Sequence, residues 1–380
     1  MRIVVNTLEF APATGIDVHA LEMSRALAHR GHEIHAIAQR DGELRADWDS
    51  FTASTLVAGP FLHQPLSPQQ LGDPGKLAHF AGAWRKATQR ARRVRPGVIY
   101  ANDSQALMWA SASAGGTRAG LVCHLHNDAL TPVGRQRQAL ARRVDRFIAP
   151  SSFTARAWVR QGLPESKLTT IHQAVDPRRF PVATPRDRAA IRAQLQIPGA
   201  AFVVVFLGRI VADKGVDVLV DAWRQLGLGP EEGRLVVVGR AFPPSYLEAL
   251  ASKASDSVIF VRPQSDVVPM LHAADLVAIP SVSEDACPRV LIEAMATGVP
   301  VAASRTGGIP EILEGDLDRF LVTRGDPVEL AEMIGSLRGW QRREPDLGRE
   351  FRGRVVQSFS LEAAVNAVEA ELERAALLRA

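Results

Sequence analysis

Short apolar runs alternate with longer stretches of helical periodicity along almost the whole 380-residue chain. Arg2–Asn6 predicts a first strand. Val18, Leu21, Ala26 and Leu27 then recur at helical spacing up to a stop at Gly31, and Glu33–Ala38 predicts the second strand. The same alternation yields strands at Gly97–Ala101, Gly120–His126, Arg146–Pro150 and Lys167–Ile171. After a proline-punctuated connection it resumes at Ala201–Leu207, Val236–Gly239, Val258–Val261, Leu276–Ile279 and Val299–Ala303. Most of these runs are apolar without a period of two, as strands buried on both faces are. Strands of that kind alternating with amphipathic helices predict an α/β fold built on parallel sheets.

Some segments depart from this rhythm. Asp41–Gly75, with Pro60, Pro65, Pro68 and Pro74, reads as an irregular flap. Pro177, Pro181, Pro185 and Pro198 follow Asp176 closely and place a domain boundary there. The expected division is 1–176, 177–360 and a final helix over 361–380 with Ala364, Val365, Val368 and Leu372 on one face. Between the flap and the third strand, Leu77, Phe80, Ala81, Trp84, Thr88, Ala91 and Val94 form an apolar helical face. Lys86, Arg90 and Arg93 lie opposite. That basic face is either the solvated back of a core helix or a surface for an anionic acceptor or a membrane.

Composition narrows the class without naming a chemistry. Hydrophobic residues at 46% and charged residues at 23% are those of an ordinary globular protein. Two cysteines, Cys123 and Cys287, are too few for a disulfide framework and suit a reducing compartment. No run approaches the ~20 apolar residues of a membrane helix, and Met1 leads directly into a strand, so a cytoplasmic location is expected. The net charge of +4 is uneven: residues 1–176 carry +7 and the remainder −3. The basic half suits either an anionic lipid or phosphorylated acceptor, or the plain solvation of Arg-rich helices. Nucleic acid is not expected, because basic and aromatic positions are not interleaved.

The chemistry concentrates in Pro280–Ser304, PSVSEDACPRVLIEAMATGVPVAAS. A strand precedes it and a polar loop opens it. Pro288 stands where a first helical residue belongs, and Val290, Leu291, Ala294 and Met295 make one helical face. Asp285 is thus set in a loop at a strand's carboxyl end, and Glu293, eight residues on, inside the following helix. Free N–H groups at that helix start suit an anion. A second candidate follows Ala201–Leu207, where GRIVADKG puts Gly208, Arg209 and Lys214 in a strand-to-helix loop. In the first half, Gly15 sits in the first such loop, while Asn102, Asp103 and His126 sit at strand ends, where open α/β sheets bind ligands. His124, two residues back on the same face, competes with His126.

The eight-residue spacing of Asp285 and Glu293 resembles the acidic E-x7-E motif of family 4 of the retaining nucleotide-sugar glycosyltransferases, which have the GT-B fold. The likeness extends over nearly the whole chain. It includes Ser151–Ser152 after an apolar strand, Gln173-Ala174-Val175-Asp176 where the family has Asn-Gly-Val-Asp, and Gly307-Gly308-Ile309-Pro310-Glu311. It implies two Rossmann-like domains facing across a cleft, with the last helix crossing back to the first domain. It also implies transfer of a hexosyl group, with retention, from a UDP- or GDP-sugar to a hydroxyl of a glycan, lipid-linked sugar or small metabolite. No cofactor and no metal are implied, since Arg209 and Lys214 would neutralise the leaving diphosphate.

By the same resemblance Asp285 would face the sugar and Glu293 the ribose. Gly15, Gly208, Arg262, Glu284, Ala286, Cys287, Arg289 and Val290 would complete the donor side. Asn102, Asp103 and His126 would take the acceptor side. The chain departs from the family at Asp285, which is one methylene shorter than Glu, and at Pro288, which replaces a glycine. It departs again at Thr14-Gly15, which keeps half of a glycine pair, and at Arg262-Pro263. Glu284 is the alternative sugar-facing acid if the loop shifts by one residue. A non-catalytic nucleotide-sugar binder of the same fold is the alternative activity.

Overall fold

The computed structural model describes residues 1–11, 15–59, 74–126 and 141–379, leaving aside the side chains of Pro74, Lys76 and Leu77. They form two compact units: Met1–His172 with Glu362–Ala380, and Gln173–Leu361.

The first unit holds seven parallel strands: β1 (Arg2–Glu9), β2 (Glu33–Arg40), β3 (Ser54–Val57), β4 (Val98–Ala101), β5 (Gly120–His124), β6 (Arg146–Ala149) and β7 (Leu168–Thr170). Their order is β3-β2-β1-β4-β5-β6-β7. The strand order reverses between β1 and β4, so the loops that follow these two strands flank the crevice where such sheets take ligands. β3 and the short helix Arg45–Asp49 occupy a stretch expected to be irregular. Trp48 is buried there against Phe10 and Phe51, and β3 is a half-buried edge strand whose weak apolar signal the prolines obscure. Residues 60–73, with Pro60, Pro65 and Pro68 of the expected flap, lie outside the described residues.

The helix Pro74–Val94 is present, but its buried face is Ala83, Ala87, Ala91 and Val94. Phe80 and Trp84 flank the core as half-buried neighbours, and Ala81 is exposed. Small residues, rather than the aromatic ones, face inward because the helix lies close against Leu107–Ala114, where Thr88 donates to the Ala112 carbonyl at 2.8 Å. Lys86 and Arg93 are exposed on the far side.

The final helix, Leu361–Leu377, belongs to this unit and buries Ala364, Val365, Val368 and Leu372. Charge fixes its register. Glu371, itself buried, accepts from Arg146 of β6, from Thr169 of β7 and from Arg374. Glu369 accepts from Arg30 and is paired with His32 beside β2.

The second unit has β8 (Phe202–Leu207), β9 (Gly233–Val238), β10 (Val258–Val261), β11 (Leu276–Ile279), β12 (Val301–Ser304) and β13 (Leu321–Val322), in the order β10-β9-β8-β11-β12-β13. The reversal falls between β8 and β11. Their ladder joins only Val204 with Leu276 and Val205 with Val277, after which the strands part toward their carboxyl ends. At the opposite end Asp275 accepts from the Val203 N–H (2.8 Å), Arg192 (2.8 Å), Arg188 (2.6 Å) and Gln341 (2.9 Å), so β8 and β11 are pinned where they begin.

Replacing Glu371 by alanine leaves the largely buried Arg146 guanidinium without its carboxylate. Chemical denaturation followed in the first unit should show a loss of about 3 kcal/mol, the usual cost of stranding one half of a buried pair. A loss within a few tenths of a kcal/mol would show that the last helix is held by its apolar face alone.

Candidate active site

The loops after β8 and β11 are built against each other. Gly208 and Arg209 are exposed beyond β8, and one tight turn, Ala212–Lys214, leads to Gly215 at the start of the helix Val216–Leu226. Gly215 has φ of 64°, and a β-carbon there would lie 2.0 Å from the Pro280 carbonyl oxygen; only glycine meets both demands. The Asp213 carbonyl accepts from the N–H groups of Val282 (3.0 Å) and Ser283 (3.2 Å), which ties the two loops by backbone alone.

This contact brings Lys214 onto Asp285: the ammonium of one donates to the carboxylate of the other, with Ser281 Oγ at 3.5 Å. Two candidates from separate stretches of sequence therefore meet in one ion pair. Arg209, earlier in the same loop after β8, is exposed. Glu284, the alternative sugar-facing acid, is engaged elsewhere. Its carboxylate accepts from Thr306 Oγ1 (2.7 Å), the Gly307 N–H (2.6 Å) and Arg324 (3.0 Å). Gly307, with φ of 57°, packs so closely on Asp285 that a β-carbon would lie 2.1 Å from the Asp285 carbonyl oxygen, which itself accepts from the Gly308 N–H at 2.8 Å. Glu284 thus holds the loop after β12 against the loop that carries Asp285.

Pro288 is the residue just before the helix Arg289–Ala296, one position earlier than expected. It brings no N–H and no side-chain cap, so the helix start offers the N–H groups of the residues that follow it. Glu293 is buried one turn in and accepts from Arg289 Nε at 2.7 Å, an i,i+4 pair in which both side chains are about nine-tenths buried. Arg289 therefore braces Glu293. Val290 packs against the core, Ala286 is half-buried, and Cys287 is buried with its thiol pushed well above the usual range by that burial, which keeps it protonated. Arg262 is exposed at the end of edge strand β10, two strands from β8.

In the first unit Gly15 is exposed at the start of the helix Gly15–His29, and Thr14 lies outside the described residues. Asn102, beyond β4, donates to the Ile16 carbonyl at 3.2 Å and so ties that helix start to the strand end. Asp103 is buried and accepts from the Gln105 N–H at 2.6 Å, capping the next turn. His126 is buried, and burial lowers its pKa to about 3, with the Asn102 backbone opposing part of the shift. His124 is buried beside it and shares a hydrogen bond of 2.7 Å with the Tyr100 hydroxyl. The two rings stack at 4.0 Å, and His19, from the helix Gly15–His29, meets both edge-on at 5.1 Å. His19, Thr306 and Arg324 escaped the sequence reading. Only His19 carried a signal, a histidine between the apolar positions Val18 and Leu21 of an amphipathic helix.

The model of the family described as Glycosyl transferases group 1 matches residues 201–338, and that described as Glycosyltransferase Family 4 matches residues 13–179. The D-inositol 3-phosphate glycosyltransferase of Xylanimonas cellulosilytica is 30% identical over 372 residues, covering 86% of this chain and 83% of its own. Its counterpart in Nocardia farcinica is 31% identical over 364 residues, covering 86% and 77%. Among solved structures, Anabaena Alr3699/HepE in complex with UDP-glucose superposes with a TM-score of 0.83 at 24% identity, over 98% of this chain and 99% of that one. Sucrose-phosphate synthase from Thermosynechococcus elongatus gives 0.79 at 22% identity over 100% of both. These two likenesses are of fold, and the fold is GT-B. The sequence relatives settle the rest: the chain belongs to glycosyltransferase family 4 and is a glycosyltransferase.

Proposed function

We propose that this glycosyltransferase moves a hexosyl group from a UDP- or GDP-sugar to a hydroxyl of a small phosphorylated polyol, with retention of configuration and without a metal. The observation that carries the reading is the Lys214–Asp285 pair at the point where β8 and β11 part, with Glu293 braced eight residues further on. A nucleoside diphosphate sugar would give each of these groups a further or exchanged partner: phosphates for Lys214 and Arg209, sugar hydroxyls for Asp285, ribose hydroxyls for Glu293. The leaving diphosphate gains negative charge as the glycosidic bond breaks, and fixed cations stabilise that change. Lys214 and Arg209 supply here what a metal supplies in other transferases.

Support for retention by a front-face path comes from the side chains around Asp285. Cys287 is held as a thiol, Glu284 is occupied by three donors, and Asp285 itself is paired with Lys214. The acceptor oxygen would then attack on the face the diphosphate leaves, and a departing phosphate oxygen would take its proton. His126, neutral at physiological pH, is suited to orienting an acceptor hydroxyl. A phosphorylated polyol fits the names of the sequence relatives and the +7 charge of residues 1–176. Among the described residues no helix is long and apolar enough to cross a membrane. The exposed Lys86 and Arg93 offer a basic surface to an anionic acceptor or a membrane.

The direct test is a panel of UDP-, GDP- and ADP-sugars with inositol phosphate or inositol as acceptor, the product's anomeric configuration being read by NMR. An inverted product overturns the mechanism, and donor binding without turnover on any acceptor favours the non-catalytic binder.

Three variant experiments follow from the geometry. Lys214→Ala should lower kcat by about 10²–10³-fold, as loss of a charge-stabilising donor does. EDTA should not lower activity, and a loss in EDTA that magnesium or manganese restores would transfer the Lys214 role to a metal.

Calorimetric titration with free nucleoside diphosphate separates the two acids. Glu293→Ala should weaken binding by roughly tenfold or more, the cost of about 1–3 kcal/mol for ribose hydroxyls left without a partner. Arg289→Met should weaken it in the same direction by loosening Glu293. Asp285→Asn should bind the nucleotide at least as tightly as the parent, since Lys214 is released, while turnover falls. Weaker nucleotide binding by Asp285→Asn would remove the ion pair from the resting site.

Changing Lys86, Arg90 and Arg93 together to glutamate should impair transfer to an anionic acceptor at low salt and leave donor hydrolysis unchanged. Equal activity on charged and uncharged acceptors would make that face a solvated one.

A further inference from the structure

His19, His124 and His126 are drawn together in the interior of the first unit, with relative exposures of 2%, 1% and 6%. One ligating nitrogen from each lies within 4.8 Å of the others. His124 ends β5 and His126 follows two residues later, the spacing that turns two side chains to one face of an extended chain. His19 comes from the second turn of the helix Gly15–His29. Buried imidazole nitrogens need partners, because water is gone. The Nδ1 atom of His124 has one in the Tyr100 hydroxyl, whereas its Nε2, also buried, has no hydrogen-bond partner among the described residues.

We propose that His19, His124 and His126 form a transition-metal site that takes Zn²⁺ or a similar borderline ion on three imidazole nitrogens, with a fourth position open. Three histidines are a ligand set for Zn²⁺, Co²⁺, Ni²⁺ or Cu²⁺, and not for Mg²⁺ or Ca²⁺, which take oxygen. Bonds of about 2.0–2.1 Å in a tetrahedral site place the nitrogens about 3.4 Å apart. The 4.8 Å spread closes by turning rings about their terminal torsions, which are broad and soft in histidine. The stack of His124 on His126 must open in the process, one ring turning its edge toward the ion. Tyr100 fixes which nitrogen is presented: with Nδ1 engaged, Nε2 of His124 is the ligand, an outer partner of the kind metal-bound histidines have.

The three histidines belong to the first unit and Arg209 and Lys214 to the second, and the metal proposal does not depend on the donor chemistry proposed above. An ion bound there commits His126 and withdraws it from any acceptor.

The test is titration of the chelator-treated full chain with Co²⁺. We expect a visible absorption band of tetrahedral intensity that saturates at one equivalent and is bleached by one equivalent of Zn²⁺. His124→Gln and His19→Gln should each abolish the band, with circular dichroism confirming that the variants are folded. Tyr100→Phe should weaken Co²⁺ binding roughly tenfold, as loss of an outer partner does. His29→Gln, at an exposed position of the same helix, should bind as the parent does. Absence of a saturable band in the parent chain overturns the proposal, as does a band that survives in folded His124→Gln.

Discussion

β8 and β11 lie side by side in the middle of the second sheet, yet pair through only two residues of each strand. Everything the second unit offers a ligand depends on that partial pairing. At the near end Asp275 gathers Arg188, Arg192, Gln341 and the Val203 N–H, so neither strand is able to slide. At the far end the strands separate, and their loops would splay if nothing joined them. Gly215 prevents this, letting the Pro280 carbonyl approach to a distance that any side chain would forbid, while the Asp213 carbonyl takes the N–H groups of Val282 and Ser283. A rigid base and a backbone-stitched mouth hold Lys214 and Asp285 within reach of each other, as a site that must bind in a defined geometry requires.

The pair of adjacent acids, Glu284 and Asp285, shows how the loop assigns roles that their chemistry alone leaves open. Both are carboxylates one residue apart, and the longer one suits the reach of the family motif better. Glu284, however, faces the loop after β12, where Thr306, the Gly307 N–H and Arg324 saturate it. Asp285 faces Lys214. The two acids have different partners, so one braces the neighbouring loop and the other meets Lys214. Gly307 presses directly on the Asp285 backbone, an approach that a β-carbon at Gly307 would forbid.

Much of the fold was legible because its strands are buried on both faces, and such runs stand out from the helices between them. β8, β10 and β11 fall within a residue of their expected limits. What failed was of a different physical kind. β13 is two residues long and β3 is a half-buried edge, so neither carries the apolar run that marks a central strand. Of the face expected for the helix Pro74–Val94, Ala91 and Val94 are buried, whereas Phe80 and Trp84 are half-buried and close helix packing brings Ala83 and Ala87 inward instead. In the site, Asp285, Glu293, Arg209 and Lys214 were singled out by their places beside strand ends together with the family resemblance, and the structure joins Lys214 to Asp285. Arg324 and the Asp275 cluster are assembled from distant segments whose meeting no local pattern announces. The bracing of Glu293 by Arg289 lies between: an i,i+4 pair is visible in sequence, but its burial is not.

Burial also decides the electrostatic state from which the site must work. Lys214 and Asp285 are both largely shielded from water, and an ammonium so placed is costly without a counter-charge. Asp285 supplies that charge while no ligand is bound. On the proposed reading, a diphosphate would offer Lys214 a stronger acceptor and the attached sugar would offer Asp285 its hydroxyls, so neither group would be left stranded. Free nucleoside diphosphate would satisfy the first demand and not the second. The whole donor would satisfy both, and the ion pair would then favour intact donor over spent nucleotide. Such discrimination would come from exchanging partners rather than from adding contacts, and it would rest on the loop-to-loop contact at Gly215 that brings the two residues together.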